Sequence, residues 1–241
     1  MKTAFLFRIC PYAALVLFVA GMIARFATCR RPSAANRTSV SDVLGRVLQF
    51  SLFVLLLGHL AGLLFPRTIL LWNSAPSRLY TLEAVAFLSG FCALVAWVLT
   101  ISGQLRPSDK SFGEQTADAI FSALLFTAML SGLLIAIFFR WGSSWGAFTL
   151  TPYVRSLLRG QPAIALASEM PFLVRLHLFS AFATLAALPE TSISGHVVVA
   201  INRSLAFAAI PIHGVIDRAR NGAQIAWRRI NPAFWIWPEE D

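Results

Sequence analysis

The chain has 241 residues, 57% of them hydrophobic and only 13% charged, with a formal net charge of +9. A soluble domain carries about 25% charged residues to wet its surface, so a soluble globular fold is excluded. The basic residues are spread over several loops instead of forming one patch, which speaks for membrane orientation and lipid contact and against nucleic-acid binding.

Five apolar stretches follow one another at 10–26, 47–66, 81–103, 117–139 and 172–195. Each is close to the ~20 residues that cross a hydrocarbon core of ~30 Å. The expected fold is therefore all-α: a polytopic bundle of five transmembrane helices over residues 1–200, then a cytoplasmic amphipathic tail over 201–241. A cleaved signal in the first stretch is disfavoured, because Arg8 interrupts its apolar start and no small-x-small site follows. Twelve Lys and Arg fall on one face of this topology and eight on the other. The positive-inside rule then puts the N-terminus outside and the C-terminus in the cytoplasm. Trp72, Tyr80, Trp141, Trp145 and Tyr153 flank helix ends on the presumed outer side as boundary residues. The stretch 151–160 (TPYVRSLLRG) reads as a short amphipathic helix lying at that interface.

Chemistry must come from the few intramembrane polar residues. Cys10, Cys29 and Cys92 are isolated, and no Cys/His metal spacing, phosphate loop or nucleophile constellation is present. Of the four histidines, His59 lies seven residues before Pro66 in the second stretch, and His177 six residues after Pro171 in the fifth. At the helical rise both imidazoles sit about 9–11 Å below the same boundary, where they could clamp a metal between two helices. Gly58 and Gly62 bracket His59, and Ser180, Ala181 and Thr184 follow His177. Such small residues permit close helix approach or leave room for a flat macrocycle. A lone histidine could equally hydrogen-bond across helices. The matched depth favours haem ligation.

Taken together, PY at 11–12, GHLAGLLFP at 58–66, RWGSSWGAFTLTPYVRSL at 140–157, and LVRLHLF at 173–179 with Pro189 beyond it resemble the cytochrome b (gamma) subunit of respiratory nitrate reductase. The resemblance implies a multi-pass protein of the cell inner membrane that anchors molybdenum and iron–sulfur partner subunits. It further implies quinol oxidation near the outer face and electron transfer through two b haems, each held by two histidines. The outer pair would be His59 and His177. The inner pair would fall on Gln49 and Gly195, and neither is an imidazole; His196, one residue late, remains a possible additional ligand. The expectation is therefore a divergent member with one haem b, its iron held by His59 and His177, leaving ~15–20 Å of membrane between it and the cytoplasmic face. The partner is then either an iron–sulfur or a cytochrome-type redox protein. Arg78, Arg140 and Arg175 stand at outer helix ends and could pair with haem propionates or, equally, with lipid headgroups. The tail, with Arg218, Arg220, Arg228 and Arg229 among tryptophans, could rest on anionic lipid or dock a partner; His213 within it reads as a surface residue. The competing function is a non-redox membrane anchor. A transporter is disfavoured, since no helix is broken by paired Gly and Pro at mid-depth.

Overall fold

In the computed structural model the described residues are 2–28, 39–104, 111–139, 142–195 and 198. Among them the chain is all-helical, without strands: α1 (Lys2–Thr28), α2 (Ser39–Leu64), α3 (Pro66–Trp72), α4 (Pro76–Gln104), α5 (Phe112–Phe138), α6 (Gly142–Trp145), a π-helical turn (Gly146–Leu150), α7 (Thr151–Leu158), α8 (Ile164–Glu169) and α9 (Phe172–Ala187), closed by a 3₁₀ turn (Leu188–Glu190). Five helical stretches are long and apolar enough to cross a membrane: Leu6–Ala27, Val43–Leu64, Pro76–Ile101, Phe112–Phe138 and Phe172–Glu190. They coincide with the five expected from the sequence. The tail at 201–241, with His213, lies outside the described residues, as do Arg140, Trp141 and His196.

The spans pack in the order α1, α9, α5, α4, α2. Because they alternate in direction, the N-terminal ends of α1, α4 and α9 share one edge with the C-terminal ends of α2 and α5. All the short helices α3, α6, α7 and α8 sit at this edge, the loop-rich edge of the bundle. Helix α5 starts five residues earlier than its apolar run, and the reason is local. Ser111 caps it, its hydroxyl accepting from the Glu114 amide at 3.3 Å while Glu114 Oε2 accepts from the Ser111 amide at 3.1 Å. This is the S-x-x-E capping box, which extends a helix upstream of its apolar residues.

Two prolines leave backbone carbonyls without their helical donors, and one segment satisfies both. Pro11 has no N–H for the carbonyl of Phe7, four residues earlier. The Tyr153 hydroxyl donates to that carbonyl instead, at 2.7 Å. Pro66 likewise strands the carbonyl of Gly62, which accepts from Thr151 Oγ1 at 3.1 Å. Arg155 completes the end of α2, donating to the carbonyls of Leu63 and Leu64 at 3.0 and 3.2 Å. In return Tyr12 donates to the carbonyl of Leu157 at 2.8 Å. The PY, GHLAGLLFP and TLTPYVRSL motifs are thus physically one device.

The same device sets the environment of residues 151–160. The expected helix is there, but its inward face is docked into protein: Thr151, Tyr153 and Leu157 are buried with Phe7, Ala167, Met170, Val174 and Leu178. Tyr153 is fully buried and is no boundary anchor, because its hydroxyl has a backbone acceptor to reach. Burial also raises its phenol above the usual range, which keeps it a donor. Trp72 and Tyr80 remain exposed, as boundary residues should be. Tyr153→Phe would leave the Phe7 carbonyl buried and unpaired, a loss of about 1–3 kcal/mol. Thermal unfolding in detergent should show a lower midpoint for Tyr153→Phe, whereas Tyr80→Phe should match the parent.

At the opposite edge α9 runs into the 3₁₀ turn that holds Pro189, and Arg25 of α1 donates Nε to the Pro189 carbonyl at 2.7 Å and Nη2 to that of Glu190 at 3.3 Å. Gly21, one turn earlier, is what allows this approach. A Cβ there would lie 2.5 Å from Pro189 Cβ, and a proline ring cannot swing aside. Gly21→Val is accordingly expected to separate α1 from α9 and to lower the melting midpoint by several degrees, read by circular dichroism on the purified chain.

Candidate functional site: a facing pair of histidines

His59 of α2 and His177 of α9 face one another, with ring centroids 6.1 Å apart and planes 24° from parallel. Their helices do not form one of the extensive interfaces of the bundle, so the rings meet across a gap between α2 and α9.

Each ring is oriented by a backbone carbonyl. His59 Nδ1 lies 2.7 Å from the carbonyl of Leu55, one turn back in α2. His177 Nδ1 lies 2.8 Å from the carbonyl of Ala128 in α5, with Ser131 Oγ beside it at 3.3 Å. A carbonyl only accepts, so both Nδ1 atoms must carry the proton. In a neutral imidazole the lone pair then belongs to Nε2. Holding Nδ1–H on a backbone carbonyl is also the usual way a metal-ligating histidine is oriented.

The surroundings of the two rings differ. His59 is exposed at the bundle surface, and Gly58 and Gly62 beside it border open space. His177 is half-buried against α5, where Gly132 makes room for it: a Cβ at Gly132 would stand 3.0 Å from His177 Cε1 and 3.2 Å from Nδ1. The seat formed by Ala128, Ser131 and Gly132 escaped the sequence reading. Its signal, the Ser-Gly pair in LSGLLIA of α5, is legible only once His177 is known to lie against it. Ser180 and Thr184 turn their hydroxyls to carbonyls of their own helix, at 3.0 and 2.7 Å, and do not reach across.

The arginines separate. Arg78 is exposed, stacked 5.4 Å from the Trp72 ring centre and donating to Ser74 Oγ at 3.1 Å. Arg175, two residues before His177, has its Nε buried with no acceptor among the described residues. A buried guanidinium nitrogen without an acceptor is costly and suits an anionic oxygen.

The described residues hold no group of three or more metal-ligating side chains, which leaves a two-imidazole arrangement. It suits a cofactor that brings its own equatorial ligands. His59 and His177, with ring centroids 6.1 Å apart, would be the residues that hold such a group. The lone pairs, the gap, the glycine-bordered space and the orphaned Arg175 Nε all fit a haem.

The sequence profile of the nitrate reductase gamma subunit matches residues 3–206. The chain belongs to that family. No curated protein matches it. Membership and the five apolar spans indicate a multi-pass membrane protein of the respiratory cytochrome b type.

The core that begins beside the seat of His177 and runs inward is built differently from the histidine pair. Gln49, ten residues before His59, is exposed, and the inward positions of α2 at its level are Leu48 and Leu52. Those leucines pack on a core of Ala93, Trp97, Phe121 and Met129, joined by Ala187, Leu188 and Ile193. Trp97 and Phe121 meet edge to face at 6.2 Å. Asp118 fixes the turn after Pro189 by accepting from the Ser192 amide at 2.9 Å and its hydroxyl at 2.8 Å. Among the described residues this core is apolar and closely packed, and Gln49 is exposed.

Proposed function

We propose that this chain is a membrane cytochrome b subunit that binds one haem b between His59 and His177 and passes electrons between the quinone pool and a partner redox subunit. The observation that carries the reading is the facing imidazole pair, each ring with Nδ1–H tied to a backbone carbonyl and Nε2 left as a ligand. When bound, the haem supplies reversible one-electron chemistry. The protein's own groups orient and enclose: Leu55 and Ala128 fix the ring tautomers, Gly58 and Gly62 leave room beside His59, and Arg175 neutralises a carboxylate. Arg78 is held by Trp72 and Ser74 and is a weaker candidate for the same task; Arg140 is proposed from the sequence alone.

A single haem is supported by the apolar packing around Trp97 and by Gln49 standing where the family has a ligand histidine. Electrons would then exchange near the loop-rich edge, which the Lys and Arg distribution puts on the outer side of the inner membrane. The partner is a molybdenum and iron–sulfur assembly or a cytochrome, and the tail at 201–241 would lie in the cytoplasm.

Haem content of the full chain purified from membranes tests the reading. One haem b per chain, with sharp reduced α and Soret bands, is expected, and His196→Ala should leave both content and a single redox component unchanged. Absence of haem would make the chain a non-redox anchor. Two components, one lost in His196→Ala, would restore the two-haem arrangement. Orientation is checked separately: a tag after Asp241 should react with an impermeant label only after the cells are opened.

A further inference from the structure

Ser131 of α5 is 2% exposed, and its Oγ stands 3.3 Å from Nδ1 of His177 on the neighbouring helix. A serine inside a membrane helix commonly turns its hydroxyl back on a carbonyl of its own helix and does nothing further. Ser180 and Thr184 of α9 bond in that way, to the carbonyls of His177 and Ser180. Ser131 also bonds back, but it does so beside an imidazole. Its single proton has two carbonyls in reach, Thr127 at 2.6 Å and Ala128 at 3.1 Å. The shorter bond takes the proton, and the Ala128 carbonyl is left to accept from His177 Nδ1–H at 2.8 Å. The Ser131 lone pairs then face that same N–H as a second, longer acceptor. A chain runs from His177 Nδ1–H through Ser131 to Thr127, and hydrogen bonds in such a chain polarise one another. His59 is held more simply, with Nδ1 on the Leu55 carbonyl of its own helix at 2.7 Å.

We propose that Ser131 is a positioning residue for His177: as a second acceptor for Nδ1–H it makes that imidazole the more strongly donating ligand and holds the reduction potential of the site down. This rests on the haem proposed between His59 and His177. Drawing on Nδ1–H raises the basicity of Nε2. A more basic axial ligand favours iron(III) over iron(II), which lowers the potential.

Potentiometric titration of the full chain purified from membranes, followed at the reduced α band, reads the effect. Ser131→Ala should keep haem content near the parent's and move the midpoint potential upward, with a shifted ferric low-spin electron paramagnetic resonance signal. Ser131→Thr, which keeps the hydroxyl, should return both toward the parent. Ser180→Ala deletes an equally buried hydroxyl that bonds the His177 carbonyl, and it should leave both in place. An equal shift there would show that loss of any buried hydroxyl suffices and would overturn the assignment. So would an unchanged potential in a haem-loaded Ser131→Ala chain. Should Ser131→Ala fail to fold, Ser131→Cys nearly keeps the volume and offers only a weak sulfur acceptor. Its potential should rise, and a value equal to the parent's would refute the role. A parent without haem would instead overturn the ligand pair, and the role of Ser131 with it.

Discussion

Alanine at either His59 or His177 is expected to abolish the low-spin b-haem spectrum of the purified chain, because the haem would lose one of the two imidazoles proposed to hold it. The two variants should differ in a second respect. His177 Nδ1–H serves the Ala128 carbonyl on a neighbouring helix, so His177→Ala removes a contact between α5 and α9 as well as a ligand. His59 serves Leu55 of its own helix and is exposed. His177→Ala should therefore also lower the thermal midpoint, whereas His59→Ala should lose haem with the apoprotein fold nearly unchanged. Haem content by pyridine haemochrome and helicity by circular dichroism separate the two effects. A normal reduced spectrum in either variant would refute the ligand pair.

The second large effect is expected at Gly132, a residue that would touch no cofactor. A side chain there meets His177 Cε1 at 3.0 Å and Nδ1 at 3.2 Å. The ring must then give way, and the γ-carbons of a valine press it further from the Ala128 carbonyl that orients it. Gly132→Val should cost about 1–3 kcal/mol of stability through overpacking and bring haem content well below the parent's. Gly90 of α4 supplies the control. Its added Cβ would lie 3.8 Å from Leu133 Cδ1, an ordinary contact, so Gly90→Ala should keep both haem and midpoint. If Gly132→Val bound haem with an unaltered spectrum, the seat of His177 on α5 would be refuted.

The class of the molecule and the number of its spans were legible in the sequence. Hydrocarbon demands about twenty apolar residues per crossing whatever their order, so that information is local and survives without any knowledge of packing. The equal depth of His59 and His177 was legible too, because prolines at 66 and 171 mark the same edge and helical rise is constant. Family likeness lay in the spaced motifs, and the match over 3–206 agrees with it.

Rotation, and neighbours distant in the chain, came only with the packed bundle. Helices apolar on every side carry no stripe to say which face turns inward. That Gln49 is exposed while Leu48 and Leu52 pack on the core around Trp97 is therefore a property of the fold alone. The role of residues 151–157 was hidden for the same reason. An amphipathic helix at a boundary can rest on lipid or on protein, and the choice is made by the pair of carbonyls orphaned by Pro11 and Pro66, more than eighty residues away. The difference between Arg78 and Arg175 is likewise one of surroundings: both are arginines near helix starts, yet Trp72 and Ser74 occupy the first, and the second keeps a buried nitrogen without an acceptor. Residue type sets what a side chain can bond to, and packing alone determines whether a partner is within reach.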